Sequence, residues 1–200
     1  LCEKPMSLNS EDTAAIIAAA EKSGKLFGIM YNQRTNPMYQ KIRKMVKNGE
    51  LGHIKRISWI ITDWYRPQAY HDSCAWRSTW KTEGGGVLIN QSIHTLDLLD
   101  QFCGGFSSVD AHTAQYMLQP PYEVEDTVIA NFKMTSGGNA VFFATNCYVS
   151  STMPEITVEC EHGKFTMGDE LLIEYDDGHF ERYSDPTGES SGKRDWGRCH

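Results

Sequence analysis

What the chain lacks narrows its chemistry first. Its six cysteines, Cys2, Cys74, Cys103, Cys147, Cys160 and Cys199, are scattered without a Cys-x-x-Cys pair. That excludes a zinc knuckle and a thioredoxin-type motif and leaves reduced thiols as the default. The seven histidines, His53, His71, His94, His112, His162, His179 and His200, contain no H-E-x-x-H or comparable helix pair, so they read as a dispersed surface set rather than a metal centre. The longest apolar run, Ala14 to Ala20, is far too short to span a bilayer, and no signal-peptide pattern precedes it. A net charge of -7 gives no electrostatic reason to expect nucleic acid or an anionic membrane as partner. A cytoplasmic chain is expected. No G-x-G-x-x-G follows a strand, and Gly84-Gly85-Gly86 has neither the spacing nor the position of that fingerprint, so these residues offer no phosphate cradle of their own.

What is present is an ordinary globular composition, 40% apolar and 22% charged over 200 residues, enough for one good core or for one domain plus a fragment of another. The sequence starts at Leu1, runs at once into a loop, and stops at Cys199-His200 soon after Asp195-Trp196 without a terminating signal. An internal piece of a longer polypeptide is expected.

Leu1-Cys2 reads as a strand end. Asn9 or Ser10 caps a helix that stops at Gly24, and Leu26 to Met30 reads as a buried strand, so Leu1 to Tyr31 predicts a βαβ unit. Asn36-Pro37 starts a second helix that ends at Gly49. From His53 the period changes to two, through Ile54, Ile57, Trp59, Ile61 and Asp63. Further strands are predicted at Val109 to Met117, Thr127 to Met134, Asn139 to Tyr148, Ile156 to Cys160, Lys164 to Met167, Leu171 to Tyr175 and Phe180 to Tyr183. Explicit turns separate them at Ser136-Gly137-Gly138, Glu161-His162-Gly163 and Asp176-Asp177-Gly178. The expected fold is α+β: a remnant βαβ unit and then a large, mainly antiparallel open sheet with helices on one face.

Gly84 to Phe102 predicts one buried helix. On it Asn90, His94 and Asp97 fall in a strip roughly 60° wide, extended by Gln101, while the other directions are apolar. Leaving an amide or imidazole there without a partner costs on the order of 1 to 3 kcal/mol, so the strip belongs to an internal network or lines a site. Three aligned polar groups behind a glycine entry that admits close approach of another chain or ligand favour a site.

Glu3-Lys4-Pro5 ahead of a helix, Asn32-Gln33-Arg34 with Asn36-Pro37, Gly49-Glu50-Leu51-Gly52, Trp76-Arg77, and Gly85-Gly86 followed by Asn90-x-x-x-His94-x-x-Asp97 together resemble the glucose-fructose oxidoreductase / inositol dehydrogenase / rhizopine-catabolism family (Gfo/Idh/MocA). The resemblance implies that residues 1–32 are the C-terminal remnant of an NAD(P)-binding Rossmann domain whose larger part lies upstream. Residues 33–200 would be the α+β substrate and oligomerisation domain, truncated at its C-terminus. It implies an NAD(P)-dependent oxidoreductase that transfers a hydride to or from a sugar, polyol or related hydroxy compound as the full-length protein, with this piece alone inactive and unable to hold NAD or NADP.

The resemblance also assigns residues. His94 matches the family's acid/base candidate, and an imidazole that titrates near neutrality suits that role. Lys4 matches the Glu-Lys-Pro lysine near the nicotinamide, where an ammonium favours a developing alkoxide; without the other motifs it would read as a surface lysine. Glu3, Lys4, Pro5, Asn32, Trp76 and Arg77 fall to the cofactor, with Pro5 often following a cis bond in the family. Asn90, Asp97, Arg34, Trp76 and Arg77 fall to the substrate. For Trp76 and Arg77 two readings stand, a site contact or a packing anchor, and for Asp97 orienting His94 or binding substrate. Several polyol dehydrogenases of the family carry aspartate where this chain has Asn90. An amide can only orient the histidine or bind a hydroxyl, which argues against inositol. Alternating apolar residues in Thr127 to Met134 and Asn139 to Tyr148 suit a homodimer or homotetramer that pairs open sheets. The competing readings are an NAD-assisted glycosidase and a non-catalytic regulator or assembly module of the same fold.

Overall fold

The computed structural model describes residues 1–117, 120–148 and 155–184; Cys199, His200 and the Asp195-Trp196 stretch lie outside the described residues. Helix α1 (Ser10–Ser23) begins where the Asn9 side chain accepts from Asp12 N at 2.8 Å and ends at Gly24 in the left-handed conformation. Helix α2 (Pro37–Asn48) begins where Asn36 Oδ1 accepts from Met38 N at 2.9 Å and ends at left-handed Gly49. Both helices start and stop where their caps predict, yet their burial differs: α2 buries Met38, Tyr39, Ile42 and Met45, while α1 buries no residue.

The expected strand-helix-strand at the start is reduced to one parallel bridge, in which Cys2 N donates to Gly28 O at 2.9 Å and Met30 N to Cys2 O at 2.8 Å. Leu26 to Met30 is not a buried strand, because Leu26 is fully exposed and Phe27 is 43% exposed. A single bridge carries no sheet face, and among the described residues no further strand lies beside it to cover these side chains.

The sheet has eight strands, β1 (Ile54–Ile61), β2 (Phe106–Ala114), β3 (Thr127–Met134), β4 (Asn139–Thr145), β5 (Glu155–Cys160), β6 (Gly163–Met167), β7 (Leu171–Tyr175) and β8 (Phe180–Tyr183). Their order is β2-β3-β4-β1-β5-β6-β7-β8. Neighbours run antiparallel except β1 and β4, which are parallel because β1 enters the sheet between two meanders. β1 stops at Ile61, short of Asp63, and β4 at Thr145, short of Tyr148. β2 starts at Phe106 and stops at Ala114, short of Met117. Asp126 is the reason for that early stop: its carboxylate accepts from Tyr116 N and Met117 N at 2.8–3.0 Å, and a backbone N–H given to a side chain is lost to the ladder.

Helices α2 and α5 (Ile93–Cys103) cover one face of this sheet. Trp59 of β1 stacks on Phe102 with centroids 6.4 Å apart and meets Tyr39 at 6.0 Å, so one wholly buried indole joins strand and both helices. Among the described residues nothing covers the opposite face. Ile60, Phe143, Ile129 and His112 lie side by side in one row across four strands, with Ile60 50% and Ile129 44% exposed.

The helix expected from Gly84 to Phe102 is broken. Its start is the short helix α4 (Val87–Asn90), separated from α5 by Gln91-Ser92, where Ser92 N reaches back to Val87 O at 2.7 Å. The loop before it holds a short helix, α3 (Gln68–Asp72), that no cap or periodicity announced. What approaches the glycine triplet is the chain itself. Glu125 O accepts from Val87 N at 2.9 Å, and its carboxylate accepts from Gly86 N at 2.9 Å and Leu88 N at 3.0 Å. A Cβ on Gly86 would lie 1.8 Å from Glu125 O, whereas one on left-handed Gly104 would meet nothing within 4 Å. Gly86→Ala is therefore expected to lower unfolding free energy by about 3 kcal/mol, and Gly104→Ala by only about 1 kcal/mol, in urea titrations. Equal losses would mean that Glu125 does not press on Gly86.

Candidate functional site

A cleft of about 260 Å³ opens where the N-terminal segment meets α4 and α5. Of the residues picked from sequence, Glu3, Lys4, Asn32, Asn90 and His94 line it; Met30, Arg66, Tyr70 and Gln91 complete the wall. Pro5, Arg34, Asp97, Trp76 and Arg77 stand outside that lining.

Lys4 reaches the cleft from the bridge at Cys2, and its Nζ donates to the backbone carbonyl of Asn90. That carbonyl belongs to the last residue of α4, where the helix ends and carbonyls lose their intrahelical partners. The break at Gln91-Ser92 thus creates the acceptor that holds the lysine. Burial pushes the Lys4 ammonium below its ordinary 10.5, against the pull of Glu3 and Glu83 and with help from Arg77. The Lys4–Pro5 peptide is cis.

His94 is 7% exposed on the first turn of α5 and packs edge-on against Tyr31 with centroids 6.1 Å apart. Asp97 lies one turn on. Its two oxygens take Arg34, with Nε at 2.7 Å and the second nitrogen closing a bidentate pair, and Gln101 Nε2 adds a bond at 3.0 Å. This pair clips the 3₁₀ turn Asn32–Thr35 to α5 and so sets the Asn32 wall.

Trp76 is 45% exposed, and the Arg77 guanidinium lies 4.3 Å from its ring and 4.1 Å from that of Tyr70 while donating to Tyr70 Oη at 2.6 Å. Arg77 thereby holds a ring that does line the cleft. Arg66, 5.1 Å above the same ring, carries no ion pair among the described residues.

Sequence reasoning missed Arg66, Tyr70 and a buried chain of polar groups behind Asn90. Glu83, 8% exposed, accepts from Asn90 Nδ2 with one oxygen and from Ser78 N with the other, and His71 Nδ1 lies 2.5 Å from Ser78 Oγ. His71 is 6% exposed and held below its ordinary 6.5 by burial, so it is not part of a surface set. A glutamate directly before the glycine triplet was the one available signal; Arg66, Tyr70 and Ser78 sit in a loop with no periodicity. Among the described residues no cluster of His, Cys, Asp or Glu could hold a metal ion, and no helix is long and apolar enough to cross a membrane.

Residues 39–166 match the model of the GFO/IDH/MocA C-terminal domain, well over half of the sequence, and the chain belongs to that family. It is similar to the WlbA dehydrogenase of Chromobacterium violaceum, a structure in complex with NADH and UDP-GlcNAcA. They share 32% identity and a TM-score of 0.79 over 92% of this chain and 52% of that one. It is also 27% identical to the D-glucoside 3-dehydrogenase of Escherichia coli, over 69% of this chain and 42% of that protein. To the uncharacterized oxidoreductase YrbE of Bacillus subtilis it is 26% identical, over 70% and 39%. The chain is thus homologous, at low identity, to NAD(P)-dependent sugar dehydrogenases, and it spans about two fifths to half of their length.

Because burial dominates at Lys4, its acylation rate plotted against pH is expected to reach half-maximum below pH 10.5, read peptide by peptide by mass spectrometry. A midpoint at or above 10.5 would mean that Glu3 and Glu83 outweigh the lost water.

Proposed function

We propose that this chain supplies the substrate side of an NAD(P)-dependent oxidoreductase acting on a hydroxyl of a sugar, polyol or related compound. The observation that carries the reading is the convergence of Lys4, Asn90 and His94 on one cleft, from two parts of the chain almost ninety residues apart. A base and a cation over one small cavity suit removal of a hydroxyl proton: His94 accepts it, and the Lys4 ammonium stabilises the oxygen as negative charge develops. Family membership and the similarity to WlbA support the same chemistry.

NAD or NADP fits the wall in one respect. Asn32 Oδ1 and Gln91 Oε1, on two residues of the cleft, are buried acceptors without a hydrogen bond among the described residues, and the nicotinamide carboxamide and ribose hydroxyls are donors of the kind they lack. Bound there, the nicotinamide supplies the hydride acceptor or donor. Glu3, Pro5 and Trp76 border the cofactor in this reading. Arg77 steadies Tyr70, and Arg34 with Asp97 braces the wall on which substrate lies.

Residues 1–32 close a Rossmann domain, and residues 33–200 form the substrate and oligomerisation domain. The exposed Ile17, Leu26 and Phe27 are the surface that the rest of such a domain would cover, and α1 buries nothing without it. The described cysteines are all free, in keeping with a cytoplasmic protein. The uncovered sheet face, with Ile60 and Ile129 on it, meets a second copy.

Full-length protein is expected to bind NADH or NADPH in a fluorescence titration, and this chain alone to bind neither. In a screen of sugars and nucleotide-linked sugars, His94→Ala and Lys4→Ala are each expected to lower kcat about 10²- to 10⁴-fold, His94→Ala with cofactor affinity kept. Failure of full-length protein to bind either cofactor would replace this reading with a non-catalytic module. For the sheet, Ile60→Lys with Ile129→Lys is expected to shift the light-scattering mass to the monomer; an unchanged mass would place the interface elsewhere.

A further inference from the structure

The geometry points to Glu83 as a positioning residue that makes Asn90 show the cleft a hydrogen-bond acceptor, so that the site selects a substrate hydroxyl able to donate there. The inference rests on the oxidoreductase reading and deepens it. An ionised carboxylate only accepts, and a carboxamide has one accepting end and one donating end. Glu83 is buried and takes Asn90 Nδ2, so the amide can face it only through its NH₂. Asn90 Oδ1 must then point away from Glu83, and among the described residues the Asn90 hydrogen bonds run through its Nδ2 and its backbone carbonyl, while its residue lines the cleft. Substrate therefore meets a lone acceptor beside His94 and Lys4, matched by a neutral hydroxyl and refused by a ketone or ether oxygen at that position.

The carboxylate is gripped firmly enough to do this. Its other oxygen takes Ser78 N, and Ser78 is wholly buried at φ 64°, the left-handed region that a serine rarely enters. Ser78 Oγ is held in turn at 2.5 Å from His71 Nδ1. Loop 66–83 thus fixes Glu83, Glu83 fixes the Asn90 amide, and the Asn90 backbone carbonyl independently fixes Lys4.

Glu83→Gln tests the arrangement. Glutamine offers one acceptor and one donor, so it cannot serve both Ser78 N and Asn90 Nδ2, and the Asn90 amide turns over to show the cleft a donor. In full-length protein, with the sugar found by the screen above, Glu83→Gln is expected to lower kcat/KM about 10- to 100-fold, chiefly through KM. The same change in an Asn90→Ala background is expected to cost less than about two-fold, because Glu83 then has nothing to orient. The second readout needs no substrate. With ¹⁵N-asparagine labelling, the Asn90 side-chain NH₂ signal, assigned by its loss in Asn90→Ala, is expected to move in Glu83→Gln. Equal losses in both backgrounds, unchanged kcat/KM, or an Asn90 signal that stays in place would each overturn the proposal. If Glu83→Gln does not fold, the wild type decides: replacing the recognised sugar hydroxyl by a methoxy group, which cannot donate, is expected to lower kcat/KM about 10- to 100-fold, and an unchanged value overturns the proposal. If the wild type oxidises no sugar, the oxidoreductase reading falls, while the NMR signal still shows which end of the amide Glu83 holds.

Discussion

The buried carboxylate of Glu125, at the entry to β3, accepts from the amides of Gly86 and Leu88, while its own backbone carbonyl accepts from Val87 N. Three bonds within three residues weld the start of α4 to the sheet. A helix N-terminus has amides with no partner of their own, and an acidic side chain is the group best suited to take them, both as acceptor and as charge. The weld demands close approach, and only glycine permits it, since a Cβ at position 86 would sit 1.8 Å from Glu125 O. Once α4 is placed in this way, Asn90 is placed, and Lys4, Glu83 and the mouth of the cleft are referred to it.

The break after Asn90 has its own consequence for the cleft. A helix continued straight through Gln91 and Ser92 would have kept the Asn90 carbonyl inside its own ladder, with nothing to offer Lys4. Ending α4 and restarting at Ile93 lets α5 lie along the sheet, with Leu98, Leu99 and Phe102 in the core, while α4 stays bound to Glu125. The cost of ending a helix in the interior is offset by giving its last carbonyl a cation.

Much of the scaffold was legible because its signals are local. Asn9 and Gly24 bound α1, and Asn36-Pro37 and Gly49 bound α2, because capping depends on neighbours a few residues apart. The later strands were legible because hairpins announce themselves through glycine turns and alternation. The Gly84 to Phe102 helix was misread because its periodicity continues unbroken through Gln91-Ser92, and the anchor that holds the start of α4, Glu125, lies some forty residues away. Side-chain and tertiary contacts likewise explain β2, shortened by Asp126, and Leu26 to Met30, whose apolar character says strand but whose burial depends on neighbours the described residues do not supply. Within the cleft, Lys4, Asn90 and His94 were found because motif order survives in sequence. Arg66, Tyr70 and Glu83 were not, since a loop residue that reaches a site through tertiary packing leaves no period to read.

Four contacts tie the leading segment to the stretch from Gly84 to Asp97. Lys4 takes the Asn90 carbonyl, Leu8 lies so close over Gly84 that a Cβ there would be 3.0 Å from it, Tyr31 meets the His94 ring, and Arg34 clasps Asp97. The leading segment is otherwise lightly held, with one bridge at Cys2 and a helix that buries nothing. Each crossing contact is modest: an exposed ion pair such as Arg34 with Asp97 contributes about 0–1 kcal/mol, and a charged hydrogen bond about 1.5–3 kcal/mol. Such a seam is strong enough to define a cavity. Ligand sites favour clefts where separate parts of a chain bring their polar groups together. On the proposed reading the base rides on the sheet side, at His94, and the cation arrives from the nucleotide side, at Lys4. The proton-transfer geometry would then be set by how the two units close, with the sheet, Glu125 and Glu83 as the fixed half against which the other is registered.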